Sequence, residues 1–499
     1  VYPNLGQELR LMQLNGRGLT AIVYASISLL SVLSTILFII NLKGWVRQLG
    51  YVTLATFSFF CIASVLLTNE GISVSSWSSA LNNIDSKTLI SFFLNFASPL
   101  IICLGLTIIY VLLHQIAENV IDKIKRSWIT GLLFIASLAL SHYTLNYSNG
   151  IKDGFHPIQK ILITYEFYKQ YPIYSGDRDS LHITSDDYLL SVDTSHIWLI
   201  VDESVRYDAF AKTWTSIAEG IVSPHSFIVQ REIVSGAVCS DYANALLVVG
   251  MGPEQLPDIE YQALRKPTIF AYAKSSGYNT AWVNTYGEDN GPYGFINESA
   301  IEDIDTIITL KDSDAKPEPY EYDLILLKLG LEWAESHPRT FVYINKIGCH
   351  FPYDRYSKPE QKTQNSYLDC VDYTMKSYFS EFYLKERKND VLFYTSDHGQ
   401  HLGENPAISL THCARAEVHQ SMASVPYLVI LDSNQIDYVP RSNRPPTHQT
   451  LFYDVLEQLN SKYTSLYPDS LAKNKVEYSS GDIFGRSELY KHPFIFESK

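Results

Sequence analysis

Asp397 and His398 stand side by side in Tyr394-Thr-Ser-Asp-His-Gly-Gln-His-Leu-Gly-Glu-Asn405, directly after the apolar run 391–394. A carboxylate and an imidazole at the end of a buried strand form a pair able to hold a divalent metal ion. An Asp-His pair before a glycine can equally close a capped turn, so the reading depends on partners elsewhere. Val201-Asp-Glu-Ser-Val-Arg206 supplies the first: it too places carboxylates just after an apolar run, and Glu203 becomes a candidate ligand. Ser235-Gly-Ala-Val-Cys-Ser-Asp-Tyr-Ala-Asn-Ala-Leu-Leu-Val-Val-Gly250 sets a hydroxyl at the start of an apolar helical stretch. A helix start favours an alkoxide and a bound phosphate, and a metal ion would lower the hydroxyl pKa. Ser240 is therefore the candidate nucleophile, with a simple helix cap as the alternative. His350, in Lys346-Ile-Gly-Cys-His-Phe-Pro-Tyr-Asp-Arg355, and His412, in Leu410-Thr-His-Cys413, can bind metal or a phosphoryl oxygen. His401 and His419 have no comparable context.

These residues need a scaffold that brings strand ends together. From residue 196 onward short apolar runs at 197–201, 280–284, 340–345, 391–395 and 427–431 alternate with helical stretches at 268–275, 322–336 and 365–385. That alternation predicts an α/β fold with a mostly parallel sheet, which places its chemistry at the carboxyl ends of the strands. Glu203 and the Asp397-His398 pair follow such strands directly, His350 and His412 fall in loops at the same end of the inferred sheet, and Ser240 starts a helical stretch.

The first part of the chain has a different character. Within 499 residues, the runs 20–42, 51–68, 89–113 and 128–147 are nearly free of charge and are long enough, or nearly so, to cross a bilayer. The expected organisation is a transmembrane helix bundle over 1–147, a Tyr-rich juxtamembrane connector over 148–194 and an exported domain over 195–499. Lys43 and Arg47 lie between the first two runs, and Lys123, Lys125 and Arg126 precede the fourth, while Glu70 and Asp85 sit between the second and third. Basic short loops face the cytoplasm, so the domain after the fourth run is expected outside it. The chain begins at Val1, and a further span ahead of it is expected by the same alternation. A net charge of -14 without a long basic run excludes nucleic acid as a partner. Cys61 and Cys103 fall in apolar runs, whereas Cys239, Cys349, Cys370 and Cys413 would sit where disulfides are permitted, with three pairings open to them.

The residues from about 196 to 431 resemble the sulfatase and alkaline phosphatase superfamily, and within it the membrane-bound phosphoethanolamine transferases that modify lipid A and other lipopolysaccharide sugars. The resemblance lies in Glu-Ser-Val-Arg at 203–206, Gly-Cys-His-Phe-Pro-Tyr-Asp-Arg-Tyr at 348–356, and Ser-Asp-His-Gly followed by Leu-Gly-Glu-Asn at 402–405, in that order behind apolar spans. It implies an alkaline-phosphatase-like α/β/α domain behind the transmembrane bundle. It also implies Glu203, Asp397 and His398 as zinc ligands with Ser240 as the fourth. His350 and His412 match positions that bind the phosphoryl group or a second zinc during turnover, and Asn284 matches a substrate-binding asparagine.

Three departures stand out. The family nucleophile is usually threonine in a Cys-Gly-Thr-x-Thr run, and this chain has Val238-Cys-Ser240. Cys239 is the rival nucleophile, but Asp241 and Ala243 stand where a sulfatase cysteine motif requires proline or alanine and arginine. The family's usual disulfide cysteines are mostly absent, so the fold is expected to rely less on cross-links. The implied reaction moves phosphoethanolamine from phosphatidylethanolamine in the inner membrane to a lipopolysaccharide or other glycolipid acceptor on the periplasmic side. A phosphoglycerol transferase and a non-catalytic membrane sensor are the alternatives. Acceptor choice would reside in loops such as 287–295 and 357–365.

Overall fold

The computed structural model describes residues 18–68, 101–109, 111–113 and 128–147 in the first part of the chain. In the second it describes 195–221, 226–256, 265–285, 298–312, 317–351, 353–358, 366–383, 389–404, 411–413, 418–432, 444–466, 476–481 and 487–492, with 159, 178, 179, 181 and 258 as single positions. The expected span at 89–113 is described only from 101, most of the connector and loop 287–295 lie outside the described residues, and so does 357–365 after its first two positions. Contacts divide the chain into two compact units, Val1–Ile173 with Asp482–Arg486, and Tyr174–Gly481 with Ser487–Lys499.

In the first unit the runs 20–42, 51–68 and 128–147 fall in the helices Gly18–Asn41, Gly44–Thr68 and Trp128–Tyr147, the second of which also takes in Arg47. Gly44, at φ 55, sits between the first two; this left-handed conformation suits glycine and lets the chain reverse in a short turn. Among the described residues one helix, Ile22–Asn41, is both long and apolar enough to cross a membrane, and Ile101–Leu113 and Trp128–Tyr143 are shorter apolar helices. Their outward faces carry large apolar side chains such as Ile22, Leu29, Trp128 and Ile135. Gly18–Asn41 and Trp128–Tyr147 meet through small hydroxyl residues as well as a stacked Phe38–Phe134 pair: Ser34 Oγ and Ser137 Oγ lie 2.6 Å apart, and Gln159 donates to Ser137 Oγ at 2.8 Å and to Thr35 Oγ1 at 3.2 Å. Such residues let apolar helices approach closely and satisfy one another's polar groups.

The second unit is built on a seven-stranded sheet. Its strands are β1 (His196–Asp202), β2 (Ser226–Val234), β3 (Asn279–Asn284), β4 (Thr306–Ile308), β5 (Thr340–Asn345), β6 (Asp390–Ser396) and β7 (Ser424–Asp432), in the order β2-β7-β6-β1-β5-β3-β4. β1 pairs in parallel with β5 and β6, and β3 with β5 and β4, while β7 runs antiparallel to β6 and β2. Trp198 and Ile200 pack on one face with Phe210, Trp214, Leu327, Met375 and Phe379 from the helices Tyr207–Ile221, Tyr322–Glu335 and Ser366–Phe382. On the other face Phe270, from the helix Ile269–Ser275, meets Phe341 and Tyr343 at ring separations of 5.8 and 5.6 Å. The alternation of strand side chains thus buries both faces, as an α/β/α layering requires. A hairpin of β8 (Glu477–Gly481) and β9 (Ser487–Lys491) stands apart from this sheet.

Register aligns the strand ends. Val201 pairs with Asn345 and with Thr395, and Asp202 with Ser396. Glu203, Lys346 and Asp397 therefore leave the sheet on one edge. Val234, at the end of β2, pairs with Ser424, so the segment leading to Ser240 departs from the same edge.

Candidate active site

Ser240 opens the helix Ser240–Val249, whose N-cap Cys239 makes no side-chain cap. Ser240 Oγ lies 2.9 Å from His398 Nε2 and donates to Glu203 Oε2 at 3.2 Å and Oε1 at 3.4 Å. His398 Nε2 is in turn 3.5 Å from Glu203 Oε1 and 3.6 Å from Asp397 Oδ2. Asp397 Oδ2 is buried and accepts no hydrogen bond, a costly arrangement for a carboxylate unless a cation completes it.

Each group is oriented from behind. His398 Nδ1 is 2.7 Å from the Gly399 carbonyl, to which it donates, so Nε2 presents its lone pair to the cluster. Asp397 Oδ1 accepts from the His398 and Ser204 amides at 2.7 and 3.0 Å. Ser204, at φ 62, turns its Oγ onto Glu203 Oε1 at 2.7 Å. Tyr367 Oη donates to the Ser204 carbonyl at 2.8 Å and accepts from the Arg206 amide at 2.9 Å, clamping that turn. Beneath it Asp202 pairs with the buried Lys346 ammonium and accepts from Tyr394 Oη at 2.8 Å. Ser235 Oγ donates to the Asp397 carbonyl at 2.7 Å, joining β2 to the end of β6.

His412 stacks on His398 with ring centroids 4.5 Å apart, and Glu203, His398 and His412 each offer a donor atom within 4.8 Å of the others. Its Nδ1 lies 3.0 Å from Thr411 Oγ1. His350 turns Nδ1 to the Phe351 carbonyl at 2.7 Å and lies near enough to Glu203, His398 and His412 to interact with them electrostatically. Asn284 is buried at the end of β3 beside Asn345, two strands from β1.

The electrostatics are those of a crowded, dehydrated site. Burial pushes the Glu203 carboxyl up, but His398, His350 and His412 outweigh it and hold it at about 2. Burial and then the Glu203 charge push Asp397 well above the usual carboxylate range. Burial lowers His398, and burial followed by the facing His398 lowers His412 to about 3. An ionised Glu203 beside neutral His398 and His412 is the state that metal binding needs, and binding would also displace the proton from Asp397.

The donor set fits zinc. Ligands about 2.0–2.1 Å from a tetrahedral ion stand about 3.3 Å from one another, and the donor separations here run from 2.9 to 3.6 Å.

The four cysteines of this unit are all paired, Cys239 with Cys413 and Cys349 with Cys370. Cys239, with its sulfur in a bond, is thereby withdrawn as rival nucleophile. The supporting roles of Ser235, Lys346 and Tyr367, and the role of Ser204 within its Glu-Ser-Val-Arg motif, left no signal in the sequence, because each acts through a fold-dependent contact.

A family model described as Sulfatase matches residues 195–461. Among solved structures, the integral membrane lipooligosaccharide phosphoethanolamine transferase A (EptA) from Neisseria meningitidis is similar over 82% of this chain and 84% of its own, at 14% identity and a TM-score of 0.55. The C-terminal periplasmic domain of EcEptC from Escherichia coli, in complex with Zn, aligns over 60% of this chain and 92% of its own, at 12% identity and a TM-score of 0.47. The lipoteichoic acid synthase LtaP from Listeria monocytogenes aligns over 60% and 81%, at 12% identity and a TM-score of 0.41. No curated protein matches the chain in sequence. At such identities the likeness to EptA is one of fold, and the family assignment rests on the Sulfatase match over more than half of the chain. The chain belongs to the sulfatase family of enzymes, with the alkaline-phosphatase-like α/β/α core of its superfamily.

Proposed function

We propose that the protein is a zinc-dependent phosphoethanolamine transferase of the bacterial inner membrane, anchored by several spans, with its catalytic domain in the periplasm. The donor is phosphatidylethanolamine and the acceptor a lipopolysaccharide or related glycolipid, matching the lipooligosaccharide and phosphoethanolamine in the EptA description. The observation that carries the reading is the convergence of Ser240 Oγ on His398 Nε2 at 2.9 Å and Glu203 Oε2 at 3.2 Å, beside the unsatisfied Asp397 oxygen.

Glu203, Asp397, His398 and Ser240 would hold the metal, with His412 at its margin. When bound, zinc lowers the Ser240 hydroxyl pKa and offsets negative charge at phosphorus. Ser240 Oγ, its proton given up to solvent as the metal site is loaded, then attacks the donor phosphorus: the Oγ–P bond forms, the P–O bond to glycerol breaks, and the departing diacylglycerol oxygen takes a proton from His350, with His412 contacting the phosphoryl group. The acceptor oxygen displaces Ser240 in the second step and gives its proton back to His350. Asn284 contributes to substrate binding. The residue types at 203–206 and 348–356 favour the phosphoethanolamine branch over phosphoglycerol transfer.

Vesicles of headgroup-labelled phosphatidylethanolamine or phosphatidylglycerol separate these readings. Label passing to the protein from the first lipid and not the second is the expected outcome; label from phosphatidylglycerol alone would reverse the assignment, and label from neither in the presence of zinc would refute transferase activity.

A further inference from the structure

Three of the four paired cysteines adjoin candidate residues directly: Cys239 precedes Ser240, Cys349 precedes His350, and Cys413 follows His412. The Cys239–Cys413 bond joins positions 174 residues apart, with a Cα–Cα distance of 4.4 Å. It fastens the start of the Ser240 helix to the segment 411–413. The backbone repeats the join, since the Cys413 amide donates to the Val238 carbonyl at 2.7 Å. At the segment's other end the His401 amide donates to the Thr411 carbonyl, also at 2.7 Å. Cys413 adopts φ 56, a left-handed conformation that a residue with a side chain keeps only where its surroundings hold it.

Glu203, Asp397 and His398 issue directly from strands of the sheet, so the sheet itself fixes them. His412 has no such support: the segment 411–413 is neither helix nor strand. Its place against the His398 ring, 4.5 Å between centroids, depends on the fastenings on either side of it.

We infer that the Cys239–Cys413 bridge is a positioning element of the active site, fixing His412 against the metal cluster and the nucleophile so that His412 takes part only in the oxidised protein. The inference rests on the proposed metal site but not on the identity of donor or acceptor. It is tested on the full chain in detergent micelles by chelator competition for zinc, comparing wild type, C239S/C413S, H412A and the triple variant. C239S/C413S and H412A should each weaken zinc binding about 10- to 100-fold, the usual effect of losing a group that orients a metal site. The triple variant should bind no more weakly than H412A, because the bridge acts through His412. Unchanged zinc affinity in C239S/C413S, or a triple variant that loses the full product of both effects, overturns the inference while leaving the metal site standing. Wild type that binds no zinc overturns the metal site and the inference with it. Should C239S/C413S fail to fold, C349S/C370S compared before and after reduction with a phosphine, freed of reductant and checked by circular dichroism, serves as the second measurement, because only the Cys239–Cys413 bond then changes; the same weakening is expected and the same contrary result overturns the inference.

Discussion

Ser204 and His448 illustrate how single residues make the site possible without touching substrate. Ser204 holds a left-handed backbone that costs about 1–3 kcal/mol, and its hydroxyl and amide bind Glu203 and Asp397 in return. His448 donates from Nε2 to the Ser396 carbonyl at 2.9 Å, bracing the end of β6 immediately before Asp397. Burial lowers His448 from its ordinary 6.5 to about 4. Between those values the unfolded chain binds the proton and the native chain does not, so stability is full above pH 6.5 and is lost as pH falls toward 4. The His448 contribution is on the order of 1–3 kcal/mol. Denaturant unfolding across that window should therefore give a flatter acid limb for H448Q than for wild type; identical limbs would remove His448 as a cause. Glu203, Asp397, His398 and Ser240 were legible in sequence because each borders an apolar run whose end can be located. Ser204 and His448 were not, since neither their conformation nor their partners, up to 193 residues away, leave a local pattern.

At the scale of elements, the loop after β5 is the piece that seats the Glu203 turn. A Cβ on Gly348 would lie 2.2 Å from Asp202 Oδ1 and 2.8 and 2.9 Å from the Glu203 amide nitrogen and carbonyl oxygen, at a φ of 48. G348A should lower stability by about 1–3 kcal/mol through strain and displacement. It should weaken zinc binding as well, because the displaced atoms belong to a proposed ligand, Glu203. Calorimetric unfolding and zinc titration check the pair of effects, and a stable variant with normal zinc affinity would contradict the close packing. The parallel strands β1, β3, β5 and β6 were legible because strands buried on both faces read as continuous apolar runs. β2 escaped: Ser226–Val234 interleaves Gln230, Arg231 and Glu232 with apolar residues, the pattern of a strand half covered at a sheet edge. The helix His448–Leu459 escaped as well, its polar residues Gln449, Asp454 and Glu457 being buried. Asp454 is held there by Arg444 Nη1 at 2.7 Å and Tyr427 Oη at 2.7 Å.

For the whole molecule, the apolar helices of the first unit and the sulfatase domain of the second were both readable from where charge is absent and where it returns. Disulfide connectivity was not, because four cysteines admit three pairings and only the folded sheet brings residues 239 and 413 together. The proposed reaction unites the two units in one purpose, an anchored enzyme drawing its donor from the bilayer. Its central claim is that Ser240 becomes covalently modified. Incubating the zinc-loaded full chain with phosphatidylethanolamine vesicles, then measuring intact mass and mapping peptides, tests that directly. The account predicts a gain of one phosphoethanolamine group located on Ser240 and absent from S240A; a gain located on any other residue, or none from a zinc-loaded protein, would contradict it.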